Sequence, residues 1–347
     1  MRTRRPLVLL ALIAVAACAE RGTLGFAPDA GTGTVRDIWT VNYRSDLPPN
    51  NRAAPPRPDT ERYQRLNVSI PPTHQPGQIE WPDGVPDVAT DFAIVGQAGY
   101  DTPGRFARAV SQADMSGQGE TLLFVHGYNT RHAEAVYQMA QIAEDFAFPI
   151  PTVLFSWPSA GVTAGYVYDR DSALISRDLL EQTIIELSRG SNRKVVLMGH
   201  SMGSQLLMET LRQISLKRSL DLTAYVNGVV LMAPDIDGEL FRSQVDSIKR
   251  LPDPFILMVA EQDRALRISS LLTGLRPRLG AQTDRSVVGD LPITVIDVSD
   301  LSTGTEFEHK IATTSPAAIS ILRKLTEETP PGEVNLAELV VLSDFAD

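Results

Sequence analysis

Residues 194–204 (Lys-Val-Val-Leu-Met-Gly-His-Ser-Met-Gly-Ser) constrain the fold of this chain more than any other stretch. Residues 195–198 are four apolar residues in a row and predict a short buried strand. Gly-His-Ser-Met-Gly follows directly. Apolar residues then recur at helical spacing, at Leu207, Leu211 and Ile214. The stretch therefore predicts a strand, a tight turn with Ser201 at its apex, and a helix.

This arrangement matches the Gly-x-Ser-x-Gly pattern, in which a strained turn exposes a nucleophilic serine. Side chains at Gly199 and Gly203 would collide with the neighbouring strand and helix. The pattern fixes only three positions and also arises by chance, so the alternative is a simple glycine-rich turn. The strand before the turn and the helix after it favour a catalytic Ser201. The backbone N–H of Met202 would then help to stabilise an oxyanion.

The N-terminal sequence predicts an export signal. Three arginines precede an unbroken apolar run over residues 7–17, which is shorter than the roughly 20 residues that a spanning helix needs. Small residues precede Cys18, the single cysteine of the chain, and this resembles the lipobox of bacterial lipoproteins. The resemblance implies a lipidated Cys18, export, and anchoring in the cell envelope at the periplasmic face or in the outer membrane. An ordinary cleaved signal peptide or an uncleaved anchor are the alternatives.

The composition restricts the class of partner. The formal net charge is −10 over 347 residues, which argues against nucleic-acid binding because such binding requires clustered Lys and Arg. Contact with a membrane would come from the lipid anchor rather than from electrostatic attraction. Once Cys18 is lipidated, the mature fold has no thiol for a disulfide. The five histidines are scattered, so we expect no metal site and no cofactor.

The order of elements predicts an α/β fold with a mostly parallel sheet and helices on both faces. From about residue 120, strands alternate with helices. The predicted strands cover residues 121–125, 152–156, 195–198, 226–232, 255–259 and 293–298. A final helix is predicted from Ser315-Pro316. Earlier strands near residues 35–43, 65–70 and 91–95 are expected to form an antiparallel edge.

The sequence predicts a chain of four parts. Residues 1–17 are the signal peptide, residues 18–60 a lipidated terminus and tether with one strand, residues 61–326 the folded domain, and residues 327–347 an acidic tail. His74 lies in a loop rich in Pro and Gly, and we interpret it as solvated.

Sites in parallel sheets form beyond the carboxyl ends of the strands. His126-Gly127-Tyr128-Asn129 follows the strand at 121–125, and we expect the backbone N–H of Tyr128 or Asn129 to supply the second half of an oxyanion hole. We interpret the His126 side chain as structural, bonding its own loop. Trp157 follows the next strand and is either a pocket wall or part of the core.

The remaining catalytic groups are expected after the last two strands. Asp263 follows the strand at 255–259, and His309 follows the final strand. His309 is the single histidine downstream of Ser201, so it is the candidate base. The order Ser201, Asp263, His309 is that of the serine hydrolase pattern. Asp235 and Glu261 are alternative acids, and Asp235 also suits the start of the next helix.

Residues 120–325 resemble the α/β-hydrolase superfamily. The stretches at 67–72, 155–159, 233–237 and 263–266 further resemble a bacterial group of esterase- and lipase-like proteins whose substrates are largely unassigned. The resemblance implies hydrolysis of a small-molecule or lipid ester by Ser201, Asp263 and His309 through an acyl-enzyme. A lipase or acyltransferase acting on membrane lipids, and a non-catalytic scaffold, are the alternatives. The insertion at 267–291, with Leu271, Leu272 and Leu275, forms either an apolar lip over the pocket or a surface helix.

Overall fold

The computed structural model describes residues 22–29, 31–44, 55–58, 60–189, 193–218, 221–261, 263–283, 288–299 and 315. Within these residues, the strands are β1 (Thr34–Arg44), β2 (Thr60–Ile70), β3 (Ala93–Tyr100), β4 (Glu120–Val125), β5 (Thr152–Ser156), β6 (Lys194–His200), β7 (Val226–Met232), β8 (Phe255–Val259) and β9 (Thr294–Asp297). The helices are α1 (Pro103–Gln112), α2 (His132–Asp145), α3 (Tyr166–Ile175), α4 (Arg177–Leu187), α5 (Met202–Arg218), α6 (Gly238–Asp246) and α7 (Arg264–Leu272).

All nine strands belong to one sheet, in the order β3-β2-β1-β5-β4-β6-β7-β8-β9. The pairs from β1–β5 to β8–β9 are parallel, whereas β1–β2 and β2–β3 are antiparallel. The sheet confirms the predicted architecture, with its antiparallel edge formed by the N-terminal strands. The parallel order places the carboxyl ends of β4, β6, β7 and β8 side by side, which is where the predicted site residues follow.

Strand β1, the strand expected near residues 35–43, lies within the sheet between β2 and β5. It pairs with β2 along its whole length and with β5 from Ile38 to Asn42. Ile38 and Val41 are fully buried because helices cover both faces of the sheet at this strand. The hydrophobic body of the protein therefore begins before residue 60.

The two faces of the sheet carry separate hydrophobic clusters. Successive side chains of a strand point to opposite faces, so Val195 and Leu197 of β6 join one cluster while Val196 and Met198 join the other. Helices α1, α4 and α5 cover the first face, and α2 covers the second. Continuous apolar runs such as the one in β6 are expected of parallel strands buried on both sides.

The interpretation of His74 as a solvated loop residue is wrong. Its ring nitrogens lie 2.8 Å from a carboxylate oxygen of Glu80 and 3.0 Å from one of Asp145, and little of the side chain is exposed. Burial alone would lower the His74 pKa, but the hydrogen bonds to Asp145 and Glu80 raise it above its usual value. His74 therefore pins its loop to the end of α2.

Several predicted features lie outside the described residues. They are the signal peptide, Cys18, His309, the final helix after Ser315, and the acidic tail. Among the helices that are described, none combines the length and the apolar character needed to cross a bilayer.

Candidate active site

Ser201 lies at the apex of the turn between β6 and α5. It adopts a left-handed backbone conformation with φ +53°, which is uncommon for a residue other than glycine. Its N–H donates to the carbonyl oxygen of Met232 at 2.9 Å, and its own carbonyl accepts the N–H of Ser204 at 3.0 Å. These bonds hold the strained conformation, and strain at such a turn is typical of a functional serine.

The two glycines of the turn have no room for a side chain. A Cβ at Gly203 would overlap the carbonyl oxygens of Val125 and His126, at the end of β4. A Cβ at Gly199 would lie 2.9 Å from Cα of Ser204. The turn at 199–203, called the elbow below, therefore packs directly against the neighbouring strand, as predicted from the spacing of the glycines.

The loop after β4 lies beside Ser201. A Cβ placed on Gly127 would be 3.1 Å from Cβ of Ser201, so the two backbones approach closely. Tyr128 and Asn129 follow in this loop, and Met202 is buried as the first residue of α5. The N–H of Asn129 donates to the carboxylate of Asp169 at 2.9 Å, which argues against Asn129 as an oxyanion donor.

Asp169 of α3 fixes the loop after β4 to the loop after β5. Its fully buried carboxylate accepts the N–H of Asn129, the N–H of Ala160 at 2.7 Å and the hydroxyl of Ser159 at 2.7 Å. The Tyr128 hydroxyl also donates to the carbonyl of Thr163, just before α3. Helix α3 and the segment before it therefore hold the loop at residues 128–129 through contacts that the sequence does not reveal.

Asp263 is the candidate acid that the sequence favours. It follows β8, the second strand beyond the elbow strand, and its side chain is completely buried. Its carboxylate accepts the N–H of Leu266 at 2.9 Å and thereby caps α7. His309 lies outside the described residues, so the pairing of His309 with Asp263 and Ser201 stays a prediction.

Asp235, the alternative acid, is occupied by other partners. Its carboxylate accepts hydrogen bonds from the hydroxyls of Tyr166 at 2.9 Å and Ser269 at 2.6 Å, and it lies 3.1 Å from Nε of Arg278. Burial, followed by the charge of Asp235, raises the pKa of Tyr166 to about 12, so this phenol remains a donor. The backbone N–H of Asp235 donates to the carbonyl of Ser201 at 3.2 Å.

The N-cap of α6 is Asp237, which accepts the N–H groups of Glu239 and Leu240. The charge of Asp235 is therefore explained by its three side-chain partners rather than by the start of a helix. Glu261, the third candidate acid, is exposed to solvent.

A second serine–histidine contact lies beneath the loop after β4. Nε2 of His126 is 3.4 Å from Oγ of Ser156, and Nδ1 bonds the carbonyl of Gly127 at 2.9 Å. Burial lowers the pKa of His126 to about 4, and its ring stacks on Trp157. A general base works best with a pKa near the operating pH, and this imidazole is oriented by a carbonyl rather than a carboxylate. The contact therefore supports the loop, as predicted for His126, and Trp157 belongs to the core.

The insertion after Asp263 is a surface helix with an apolar side. Leu271 is 66% exposed and Leu275 is 71% exposed, and both line a cavity beside α7. Across the described part of the chain, no group of three or more His, Cys, Asp or Glu side chains is positioned to hold a metal ion.

The sheet order, the elbow and the placement of acidic residues beyond β7 and β8 define the class of this protein as an α/β hydrolase. A family model described as "Alpha/beta hydrolase of unknown function (DUF900)" matches residues 106–326, and the chain belongs to that family. No curated protein sequence matches the chain.

Three of the solved structures similar to this chain are described as a lipase, an esterase and an ester-hydrolase. Aspergillus fumigatus lipase B is 13% identical, with a TM-score of 0.42, over 70% of this chain and 62% of the lipase, so the chain spans less than two thirds of that enzyme. The Pyrobaculum calidifontis esterase is 12% identical, with a TM-score of 0.37, over 92% of this chain and 90% of the esterase. An ester-hydrolase from the metagenome of Lake Arreo, complexed with a bipyridine phosphonate derivative, is 11% identical, with a TM-score of 0.37, over 93% and 96% of the two chains. At these identities and TM-scores, no property of these enzymes is carried over to this chain.

Proposed function

We propose that this protein hydrolyses carboxylic esters with Ser201 as nucleophile, His309 as general base and Asp263 as the acid that orients His309. The observation that carries the proposal is the conformation of Ser201. A left-handed serine is held at a strand-to-helix turn whose glycines touch neighbouring backbone. Such strain persists only when the surrounding structure enforces it, and it is concentrated at functional sites.

The proposed reaction proceeds through an acyl-enzyme. His309 accepts the Ser201 proton as Oγ attacks the acyl carbon, and the N–H groups of Met202 and Tyr128 bind the oxyanion. The intermediate collapses, and the alcohol leaves with the proton from His309. Water, deprotonated by His309, then attacks the acyl carbon, and the acid is released as Ser201 is regenerated. Asp263 stabilises the imidazolium form of His309 in both steps.

Two serine variants test this proposal against the buried Ser156–His126 contact. Ser201→Ala should lower kcat on p-nitrophenyl esters by several orders of magnitude and abolish labelling by a fluorophosphonate probe, while the protein stays folded. Ser156→Ala is the matched control, because Ser156 is also a buried serine whose hydroxyl lies within hydrogen-bonding distance of a histidine, His126. Ser201→Ala with wild-type turnover and labelling would refute the assignment, and loss of labelling in Ser156→Ala alone would move the nucleophile to Ser156.

A lipase acting on membrane lipids is the second candidate. Exposed leucines of the α7 region favour it, since Leu271 and Leu275 present apolar surface beside a cavity. Activity that rises with acyl length on p-nitrophenyl esters, and again on vesicles, supports the lipase. Activity confined to short, soluble esters supports the esterase.

We also propose that the protein is exported and anchored in the cell envelope by a lipid on Cys18. The basic residues, the apolar run and the small residues before Cys18 support this proposal. Cys18→Ser should release the protein from the membrane fraction or block its processing. Mass spectrometry that finds an unmodified mature N-terminus at another residue would contradict the proposal.

A further inference from the structure

A cavity of about 640 Å³ lies between α7 and the segment that follows it. Leu266, Leu271 and Leu275 supply apolar walls, and Arg278 lines the cavity with only 9% of its side chain exposed. Arg267 and Glu261, which are exposed, carry opposite charges at the rim of the cavity. The cavity therefore combines apolar walls with one buried cation.

The chain places Arg278 between the two candidate catalytic strands. The N–H groups of Leu279 and Gly280 donate to the carbonyls of Ile236 at 2.8 Å and Pro234 at 2.9 Å, just after β7. Gly280 in turn accepts the N–H of Ala260 at 2.8 Å, at the end of β8. Arg278 thus lies at the carboxyl edge of the sheet, beyond β7, with the elbow strand on one side and the Asp263 strand on the other.

A single residue links Arg278 to the nucleophile. Asp235 bonds the carbonyl of Ser201 through its backbone N–H and contacts Nε of Arg278 through its carboxylate. Arg278 and Ser201 therefore share the carboxyl edge of the sheet, where ligands of α/β folds bind.

The guanidinium has hydrogen-bonding capacity that the protein does not use. Nε of Arg278 lies 3.1 Å from Asp235 but is not aligned for a hydrogen bond. The Asp235 oxygens already accept from Tyr166 and Ser269. In the described part of the chain, Asp235 is the single acidic partner of Arg278. A buried guanidinium with an unsatisfied N–H at Nε is costly, and such a group in a native structure points to a ligand.

We propose that this cavity binds an anionic group, a carboxylate or a phosphate, of an amphiphilic ester substrate, with the Arg278 guanidinium as the anion ligand. The apolar part of the substrate lies along Leu266, Leu271 and Leu275. The planar fork of Arg278 suits two oxygen acceptors at once, and the ion pair with Asp235 at Nε holds the guanidinium in place. The inference rests on the proposed ester hydrolysis and adds a class of substrate to it.

The first test compares two esters of matched length, p-nitrophenyl pentanoate and the p-nitrophenyl hemiester of glutarate. The wild-type kcat/KM for the anionic hemiester should exceed that for the neutral ester by roughly tenfold or more, the ratio expected of one charge-assisted hydrogen bond. Arg278→Gln should bring this ratio close to one. Arg276→Gln should leave the ratio unchanged, because Arg276 is exposed and pairs with Glu239.

Arg278→Lys is a second variant for the case in which Arg278→Gln does not fold. It keeps a cation beside Asp235 but loses the planar guanidinium. Its ratio should fall between those of the wild type and Arg278→Gln. A wild-type enzyme that prefers the neutral ester, or an Arg278 variant that keeps the full preference for the hemiester, would overturn the proposed anion site and leave ester hydrolysis standing.

The second test measures binding without hydrolysis. Calorimetry on the wild type and Arg278→Lys compares hexanoate, monohexyl phosphate, inorganic phosphate and 1-hexanol. Binding of hexanoate or monohexyl phosphate at least roughly tenfold tighter than 1-hexanol, weakened by Arg278→Lys, supports the site, and the tighter of the two identifies the anion. If inorganic phosphate bound as tightly as monohexyl phosphate, the proposed contact between the substrate's apolar part and the leucines would be wrong. Anion binding in a protein without esterase activity would refute the proposed function alone, whereas absent anion binding refutes the site alone.

Discussion

The buried carboxylate of Asp169 accepts the backbone N–H of Asn129 at 2.9 Å, across 40 residues of sequence. The same carboxylate accepts from Ser159 and Ala160, so all three of these partners are donors. The loop between His126 and Asn129 lies next to Ser201 and carries one of the two proposed oxyanion donors. The position of that donor therefore depends on the charge of a residue that would not itself touch the substrate.

Asp169→Asn should impair catalysis by loosening this loop. An asparagine keeps one acceptor but turns an NH₂ group toward a donor, leaving an unsatisfied buried pair that costs about 1–3 kcal/mol of stability. Displacement of an oxyanion donor costs up to roughly 10²–10³-fold in kcat. We therefore expect kcat to fall by roughly ten- to a hundredfold while KM changes little.

The matched control is Asp171→Asn, which alters an exposed carboxylate on the same helix. It should leave both kcat and the free energy of unfolding near wild-type values. If Asp169→Asn were destabilised but kept full kcat per folded molecule, Asp169 would be a structural residue without influence on the oxyanion donors.

The two candidate acids should respond differently to amidation. Asp263→Asn preserves shape but would favour the wrong tautomer of His309, and a loss on the order of 10⁴-fold in kcat is known for that change in a serine protease. Asp235→Asn breaks a buried ion pair with Arg278 and should mainly lower stability, by about 3–5 kcal/mol. Steady-state kcat, corrected for the folded fraction by circular dichroism, distinguishes the two. A crippled Asp235→Asn beside a near-normal Asp263→Asn would exchange their roles.

The sheet could be predicted because its strands are short apolar runs bounded by turn residues. The predicted limits of 152–156, 226–232 and 255–259 match β5, β7 and β8 residue for residue. The elbow could be predicted for a similar reason. Its two glycines and its serine are a local pattern, and the clash that excludes side chains involves the immediately adjacent strand.

The supporting contacts could not be predicted because they join residues distant in sequence. Asp169 bonds Asn129 and Ala160 through their backbone N–H groups, which leave no trace in residue type. Arg278 lies in the insertion at residues 267–291, and its pairing with Asp235 depends on how residues 278–280 pass β7. The burial of His74 could not be predicted because its carboxylate partner Asp145 ends a helix 71 residues away in the sequence.

Gly203→Ala should disrupt the elbow. A methyl group there would overlap the carbonyl oxygens of Val125 and His126, which are backbone atoms of a central strand and cannot rotate away. We expect a loss of at least about 2 kcal/mol in stability and a large loss of kcat, because overpacking displaces Ser201 from the loop after β4. Gly99→Ala is the control, since nothing lies within 4 Å of the added methyl. Equal activity and stability in the two variants would contradict the close approach.

The pH dependence of stability should reveal the buried His126. Burial lowers its pKa to about 4, whereas an unfolded histidine titrates near 6.5. Below pH 6.5 the unfolded chain binds a proton at His126, whereas the folded protein leaves His126 neutral until the pH approaches 4. The free energy of unfolding should therefore fall as pH drops from 7 to 5. The His126 contribution over that interval is about 2 kcal/mol. His132, whose pKa burial also lowers to about 4, adds to the decline.

Urea unfolding at pH 7, 6 and 5 should therefore show a shallower decline in His126→Gln than in the wild type. His74→Gln is the control with the opposite sign, because the raised pKa of His74 contributes stability below pH 6.5 that is lost as pH rises. A His126→Gln profile parallel to that of the wild type would mean that His126 is not held neutral by burial.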